Sequence, residues 1–152
     1  MDADRPRLDQ LNIVGGNVGA SIAFYQQLGV EITEEGVWRT PSGIHPVNAG
    51  RDALGSTVAL DIDSVPCARL SNTGWQGRRD LRGRVVVGFK LSSRSAGDTL
   101  YASLTGAGHA ELQPPNDAFW GSRYAIVDDP DGIAVGLMSP KDPEHRSAPP
   151  EV

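Results

Sequence analysis

An internal repeat limits the possible folds of this 152-residue chain more than any other property of its sequence. At a shift of 76 to 77 residues, the second half of the chain keeps glycines and apolar residues in register with the first. The aligned pairs are Gln10 and Val86, Phe24 and Tyr101, Gly29 and Gly106, Gly55 and Gly132, Val58 and Val135, and Leu60 and Leu137. Such a repeat predicts two copies of one supersecondary unit. The copies should pair, because neither has enough sheet to enclose a core alone.

The first copy reads as a strand, a helix and about three further strands. Alternation over residues 8–14 predicts a strand with Leu11 and Ile13 on one face and Gln10 and Asn12 on the other. A helical stripe follows, with Asn17 as a suitable N-cap and Gly29 as a suitable terminator. Short strands are expected at 30–33, 36–40 and 57–62, and residues 41–56 are ambiguous between strand and loop.

The second copy repeats this order from residue 83 onward. A strand is predicted over residues 84–91, and Ser95 with Asp98 forms a capping-box-like start for the following helix. Three strands are expected near 109–113, 122–127 and 133–138. The turn between the last two, Asp129-Pro130-Asp131-Gly132, has the residues that a type I turn favours.

The predicted architecture is α+β, with one domain over residues 1–140. Two βαβββ modules, at about 8–64 and 83–140, are expected to pair into a curved sheet around a central cleft. The polar stretch 65–82 is predicted to be a connector. Residues 141–152 are expected to be disordered, because they carry too little apolar surface to fold.

Composition excludes several classes of function. The net charge of −5 argues against nucleic-acid binding, which needs clustered Lys and Arg. No apolar run is long enough to span a membrane, and the polar N-terminus is unlike a secretion signal. The single cysteine, Cys67, cannot form an internal disulfide, which fits a reducing compartment. A cytoplasmic location is therefore predicted.

The loop between the first strand and helix is a false lead. Val14-Gly15-Gly16-Asn17-Val18-Gly19 lies where a dinucleotide-binding loop would lie. However, Val14 stands in place of the first glycine, and the chain lacks the alternation of strands and long helices of a parallel sheet. A glycine-rich entry into a helix explains the loop better.

Three segments resemble the vicinal oxygen chelate superfamily, which includes glyoxalase I, extradiol dioxygenases, fosfomycin-resistance enzymes and bleomycin-resistance proteins. They are LDQLNIV (8–14), SIAFYQQLGV (21–30) and WGSRYAIVDDPDGIAVGL (120–137). The resemblance covers nearly all of residues 8–140. It implies the same paired-module fold, with a cleft that holds a metal in some members and a drug in others. Fold alone does not give function.

The resemblance also places the metal ligands of the metal-using members at four positions in this chain. These are Gln10, Ala59, Val86 and Gly136. A divalent cation needs lone pairs from imidazole, carboxylate or amide oxygen, and three of the four residues have none to offer. No metal or other cofactor is therefore predicted.

A metal-free cleft would bind its ligand by apolar burial and a few polar contacts. The predicted ligand-binding residues are Gln10, Asn12, Trp38, Asp61, Trp75 and Trp120. Gln10 and Asn12 could donate hydrogen bonds, and Asp61 shares the strand face of Ala59. Trp75 stands in the polar segment SNTGWQGRR, where an indole suits stacking on a flat ligand or on a partner subunit. Packing and turn roles for Trp38 and Trp120 remain open.

The leading hypothesis is a metal-independent protein that sequesters a small aromatic or cationic compound, as bleomycin-resistance proteins do. The resemblance also implies a homodimer. One alternative is a glyoxalase- or dioxygenase-type metalloenzyme with non-standard ligands. Another is a scaffold whose cleft is vestigial. The sequence names no general acid or base and no ligand.

Overall fold

The computed structural model describes residues 8–41, 43–49, 58–72, 74 and 82–151, with the backbone alone for residues 45–49 and 71. The chain divides into two compact units, Met1–Gly77 and Arg78–Val152. The division falls inside the predicted connector. Each unit contains one four-stranded sheet and at least one α-helix, so the α+β class predicted from the repeat is confirmed.

The first unit contains four strands and two α-helices. In chain order they are β1 (Gln10–Gly15), α1 (Val18–Gln27), β2 (Val37–Thr40), β3 (Gly43–Ala49), β4 (Ala59–Ser64) and α2 (Val65–Ser71), with a 3-10 turn at Glu34–Gly36. The strand order across the sheet is β1-β4-β3-β2. β1 and β4 are parallel and the other pairs are antiparallel.

The second unit repeats the same topology. Its elements are β5 (Val86–Lys90), α3 (Arg94–Gly106), β6 (Glu111–Asp117), β7 (Arg123–Asp128) and β8 (Ala134–Met138), followed by a 3-10 turn at Pro143–His145. The strand order is β5-β8-β7-β6, with β5 and β8 parallel. The first strand therefore pairs with the last in both units, as two copies of one βαβββ module require.

Each sheet packs one face against its helices, where the core lies. In the first unit Ile13 of β1 and Ile62 of β4 are register partners and are both buried, with Phe24 and Tyr25 of α1. In the second unit the largest buried side chains are Leu104 of α3, Val127 of β7, and Val135 and Leu137 of β8. Residues of opposite parity in each strand lie on the face that the helices leave free.

The helix starts show how local signals set the elements. The Asn17 side chain accepts a hydrogen bond from the amide of Ala20 at 3.0 Å, which confirms the predicted N-cap of α1. The start predicted at Ser95 for α3 is wrong by two residues. Ser93 is the N-cap and accepts from the amide of Ala96 at 3.1 Å. Both serines are suitable caps, and Ser93 is the one whose side chain accepts the capping hydrogen bond.

Two other expectations fail in the first unit. No strand forms over residues 30–33, because the amide of Val30 bonds back to the Tyr25 carbonyl and serves to end α1. The predicted connector 65–82 begins with a helix, α2. Ser64 caps α2 by accepting from the amide of Cys67 at 3.2 Å, and Ala68 of this helix is buried. The ambiguous stretch 41–56 contains β3.

The expectation of a disordered tail is also wrong for residues 142–147. The amide of Asp142 donates to the carbonyl of Gly121, and the amide of Ser147 donates to the carbonyl of Phe119, both at 3.0 Å. Trp120 and Arg146 form an isolated antiparallel bridge. Main-chain hydrogen bonds need no apolar side chains, so the polar composition of the tail did not predict them.

No α-helix in the described part of the chain has the length and apolar character needed to cross a bilayer.

Candidate functional site

The free face of the first sheet is polar. In the parallel register of β1 and β4, Gln10 lies beside Ala59 and Asn12 lies beside Asp61. Asp63, two residues beyond Asp61, shares this face by strand alternation. Three of the predicted ligand-binding residues, Gln10, Asn12 and Asp61, are thus brought together on two adjacent strands, the edge strand β1 and its neighbour β4.

The carboxylates on this face differ in exposure. Asp61 is only 7% exposed, whereas Asp63 is half-buried and accepts a hydrogen bond from the Asn12 side-chain amide at 3.2 Å. Asp61 and Asp63 place two carboxylates on this face, two residues apart on β4. Such a face favours a cation or a hydrogen-bond donor.

Cys67 lies behind this face at the start of α2. Its thiol sulfur is 3.8 Å from Oδ1 of Asp63. Burial raises the pKa of the Cys67 thiol, and the charge of Asp63 and the hydrogen bond to it raise this pKa further. The thiol therefore stays protonated at neutral pH and is a poor nucleophile or metal ligand, because both roles need the thiolate.

The free face of the second sheet is mostly apolar and has a floor of small residues. Gly88 of β5 and Gly136 of β8 are direct register partners, and Val86 lies two residues before Gly88 on the same face. Val86 is 50% exposed. A Cβ atom placed at Gly136 would lie 3.0 Å from both Cε2 and Oη of Tyr124, so the Tyr124 ring lies over Gly136.

Three aromatic side chains form a continuous group at one end of this face. The ring centroids of Trp120 and Tyr124 are 5.5 Å apart, and those of Phe119 and Trp120 are 5.1 Å apart, both edge-on. Phe119 is 39% exposed, and the other two rings are partly exposed. Trp120 therefore packs against Phe119 and Tyr124 and also presents some surface.

The structure describes one of the other two predicted tryptophans. Trp38 is 54% exposed on β2, the edge strand farthest from β1 in the sheet. Arg39 beside it pairs with Glu34 at 3.1 Å. Trp75 lies outside the described residues. Gln10, Asn12 and Asp61 are therefore the part of the predicted set that the structure groups together.

The residues present do not fit a metal. In the first sheet the family's two ligand positions, Gln10 and Ala59, are neighbours, and in the second sheet Val86 and Gly136 share one face. In each sheet, strand pairing therefore holds the two ligand positions close together. Only Gln10 carries a donor atom, and one amide oxygen cannot hold a divalent cation. Among the described residues, no group of three or more His, Cys, Asp or Glu side chains is arranged to bind a metal.

An open groove in the first unit was missed by the sequence analysis. Its volume is about 420 Å³, and it lies where β1 and β4 end and α1 and α2 begin. Its lining residues are Gly15, Gly16, Asn17, Val18, Gly19, Gly43, Ile44, Ser64, Val65 and Pro66. The available signal was the glycine-rich loop itself, since small side chains at a strand end leave room for a groove.

A charged cluster in the second unit ties α3 to β6 and β7. Arg123 pairs with Asp98 at 2.9 Å and with Asp117 at 3.1 Å, and Arg94 also pairs with Asp117. The hydrogen bond from Arg123 holds the pKa of Asp117 below its ordinary value of 3.8, and the charge of Arg94 lowers it further. Two positive and two negative charges balance, which is typical of a structural network.

This cluster predicts a pH-dependent contribution to stability. The pKa of Asp117 is lower in the folded protein than the ordinary 3.8, so its stabilisation is complete above that pH and is lost as the pH falls through the folded value. We expect Asp117→Asn to lower Tm by about 1 to 3 °C at pH 7 and by progressively less below pH 3.8. Calorimetry from pH 7 to pH 2.5 measures the difference. Glu151→Gln is the control for net charge, and a pH-independent difference would contradict the prediction.

The structure contains two βαβββ units, and in each unit the first and last strands are parallel neighbours. The family's ligand positions lie side by side on these strands. These features define the class of paired-module proteins. Consistent with this, a family model described as Glyoxalase/Bleomycin resistance protein/Dioxygenase superfamily matches residues 7–137. The chain belongs to this superfamily.

Solved structures show the same fold. A glyoxalase/bleomycin resistance protein/dioxygenase from Nocardioides is 23% identical, with a TM-score of 0.66 over 99% of this chain and 91% of the other. A family enzyme from Burkholderia phytofirmans PsJN is 18% identical, with a TM-score of 0.71 over 88% and 98%. A glyoxalase-related enzyme from Fulvimarina pelagi is 18% identical, with a TM-score of 0.70 over 89% and 88%. Comparison with curated proteins gave no match.

Proposed function

We propose that this protein binds a small organic molecule without a metal ion, and that the ligand is aromatic or cationic. The observation that carries the proposal is the chemistry of the family's four ligand positions. Ala59, Val86 and Gly136 offer no lone pair, although the strands that bear them are paired as the fold requires. Recognition at these faces then depends on shape, stacking and charge.

The first sheet supports a cationic ligand group. Asp61 and Asp63 lie on the free face with Gln10 and Asn12, and the side-chain amide of Asn12 donates to Asp63 at 3.2 Å. A carboxylate that is mostly removed from water interacts strongly with a cation, because the local dielectric constant is low. Asp61, at 7% exposure, is the carboxylate best suited to this role.

The second sheet supports an aromatic ligand group. The centroids of the Trp120 and Tyr124 rings are 5.5 Å apart, and both side chains are partly exposed. Aromatic rings attract flat ligands by stacking and edge contacts, and they attract cations through their faces. The apolar Val86 and the open surface at Gly88 extend this patch.

A matched series of naphthalene derivatives tests the proposal. 1-Naphthylmethylammonium, 1-naphthylmethanol and 1-naphthoate share one ring system and differ in charge. We expect the cation to raise Tm most and the anion least. We also expect Asp61→Asn to weaken cation binding about tenfold in a fluorescence titration, because a hydrogen bond to a charged group is lost. Asp131→Asn, which removes one charge from an exposed turn, is the control.

Two outcomes would contradict this proposal. The first is equal binding of all three naphthalene compounds, or of none, together with no stabilisation by a wider set of aromatic cations. The second is a stoichiometric content of nickel, zinc, iron or manganese in protein purified without chelators, which would favour the metalloenzyme. The predicted homodimer is tested separately by analytical ultracentrifugation.

A further inference from the structure

Gly88 and Gly136 differ in what lies above them. They are direct register partners on two adjacent strands of the second sheet, β5 and β8, and neither has a positive φ. A Cβ atom at Gly136 would lie 3.0 Å from Cε2 and Oη of Tyr124 and 3.3 Å from Cγ1 of Val86. A Cβ atom at Gly88 would meet no atom within 4 Å. The space above Gly136 is therefore tight, so that Tyr124 would have to yield by a few tenths of an ångström to admit a Cβ atom, while the space above Gly88 is open.

We propose that Tyr124 closes the second unit's half of the family's metal site. Its phenol occupies the space that a ligating side chain at position 136 would need. The misfit to a metal is then steric as well as chemical. A carboxylate side chain introduced at residue 136 would therefore have to displace the Tyr124 ring.

The Tyr124 ring is held in this place from several sides. Its strand, β7, is hydrogen-bonded to both β6 and β8, so the backbone of Tyr124 cannot move away. The side-chain amide of Asn116 donates to the Tyr124 carbonyl at 2.9 Å. Trp120 contacts one edge of the ring at a centroid distance of 5.5 Å. To leave, the ring must change rotamer and lose its contact with Trp120.

This inference is independent of the proposed function. It concerns a contact between two residues of one unit, and it would hold even if the protein bound no small molecule. Conversely, the naphthalene series could succeed if Tyr124 left position 136 accessible.

Cobalt binding by a chain with restored ligands provides the first test. The two substitutions are Val86→His and Gly136→Glu, both at ligand positions of the second unit, made with Tyr124 intact and with Tyr124→Ala. Tetrahedral or five-coordinate cobalt(II) gives visible absorption bands. We expect one equivalent of cobalt to bind only when Tyr124 is truncated. Uptake of one equivalent by the chain with intact Tyr124 would overturn the proposal.

A stability cycle keeps the proposal testable even if these multiple variants do not fold. Gly136→Ala is made in the natural chain, in Tyr124→Phe and in Tyr124→Ala. We expect it to lower Tm by about 3 to 6 °C in the natural chain, because an overpacked contact must be relieved. Most of the loss should persist in Tyr124→Phe, which keeps the ring, and little in Tyr124→Ala. Gly88→Ala is the matched control and should not lower Tm. Equal losses in all three backgrounds would overturn the proposal.

Discussion

Replacing Phe24 with alanine is expected to reduce the free energy of unfolding by about 3 to 5 kcal/mol. Phe24 and Tyr25 are both completely buried in α1, and their rings meet edge-on with centroids 5.1 Å apart. Alanine removes a large ring from a close-packed interior. Because α1 is tied to β3 and β4, it cannot close the space completely, and a cavity remains. Urea denaturation measures the loss, and Tm should fall by roughly 6 to 20 °C.

The matched control for Phe24 lies two residues away on the same helix. Gln26 is exposed, and Gln26→Ala should change stability by less than about 0.5 kcal/mol. A loss below about 1 kcal/mol for Phe24→Ala would show that α1 repacks, and it would contradict the core described here.

The second large effect is expected at Gly121, where the tail meets the second unit. Its φ is +97°, a left-handed conformation that costs other residues about 1 to 2 kcal/mol. An added Cβ would also collide with the carbonyl oxygen of Asp142 and approach Cγ of Arg146 to 2.9 Å. We expect Gly121→Ala to release residues 142–147 and to cost about 2 to 4 kcal/mol. Faster amide hydrogen exchange at Asp142 and Ser147, with a lower Tm, measures the release.

A substitution at Gly108 separates the effect of backbone strain from that of the collision with the tail. Its φ is +96°, almost the same as that of Gly121, but an added Cβ meets no atom within 4 Å. Gly108→Ala should therefore cost about 1 kcal/mol from backbone strain alone and leave exchange in the tail unchanged. If both alanine variants have the same effect, the collision with the tail is not the cause.

The docking of the tail also shows where composition misleads. Residues 141–152 contain too few apolar side chains to form a core, and that reading of the sequence is sound. The segment is nevertheless ordered over residues 142–147 by main-chain hydrogen bonds to Gly121 and Phe119. These bonds depend on the conformation of Gly121, which becomes visible only once the turn has formed.

The candidate site was predictable in part. Strand alternation placed Gln10, Asn12 and Asp61 on one face, and the structure places them on adjacent strands in that orientation. The resemblance indicated Val86 and Gly136 as ligand positions, and the strands that carry them, β5 and β8, are paired. The role of Tyr124 was not predictable, because its ring reaches position 136 diagonally across the sheet from a neighbouring strand. Such a contact depends on register and rotamer.

The sequence by itself determined the two-module architecture, the N-cap of α1 and the missing donor atoms at the four ligand positions. These follow from periodicity, capping side chains and residue identity, which act locally or repeat along the chain. Tertiary structure alone decided that Tyr124 covers Gly136, that residues 142–147 dock, and that a groove opens beside the glycine-rich loop. Each of these depends on which distant segments come into contact, and pairing between strands fixes that only in the folded protein.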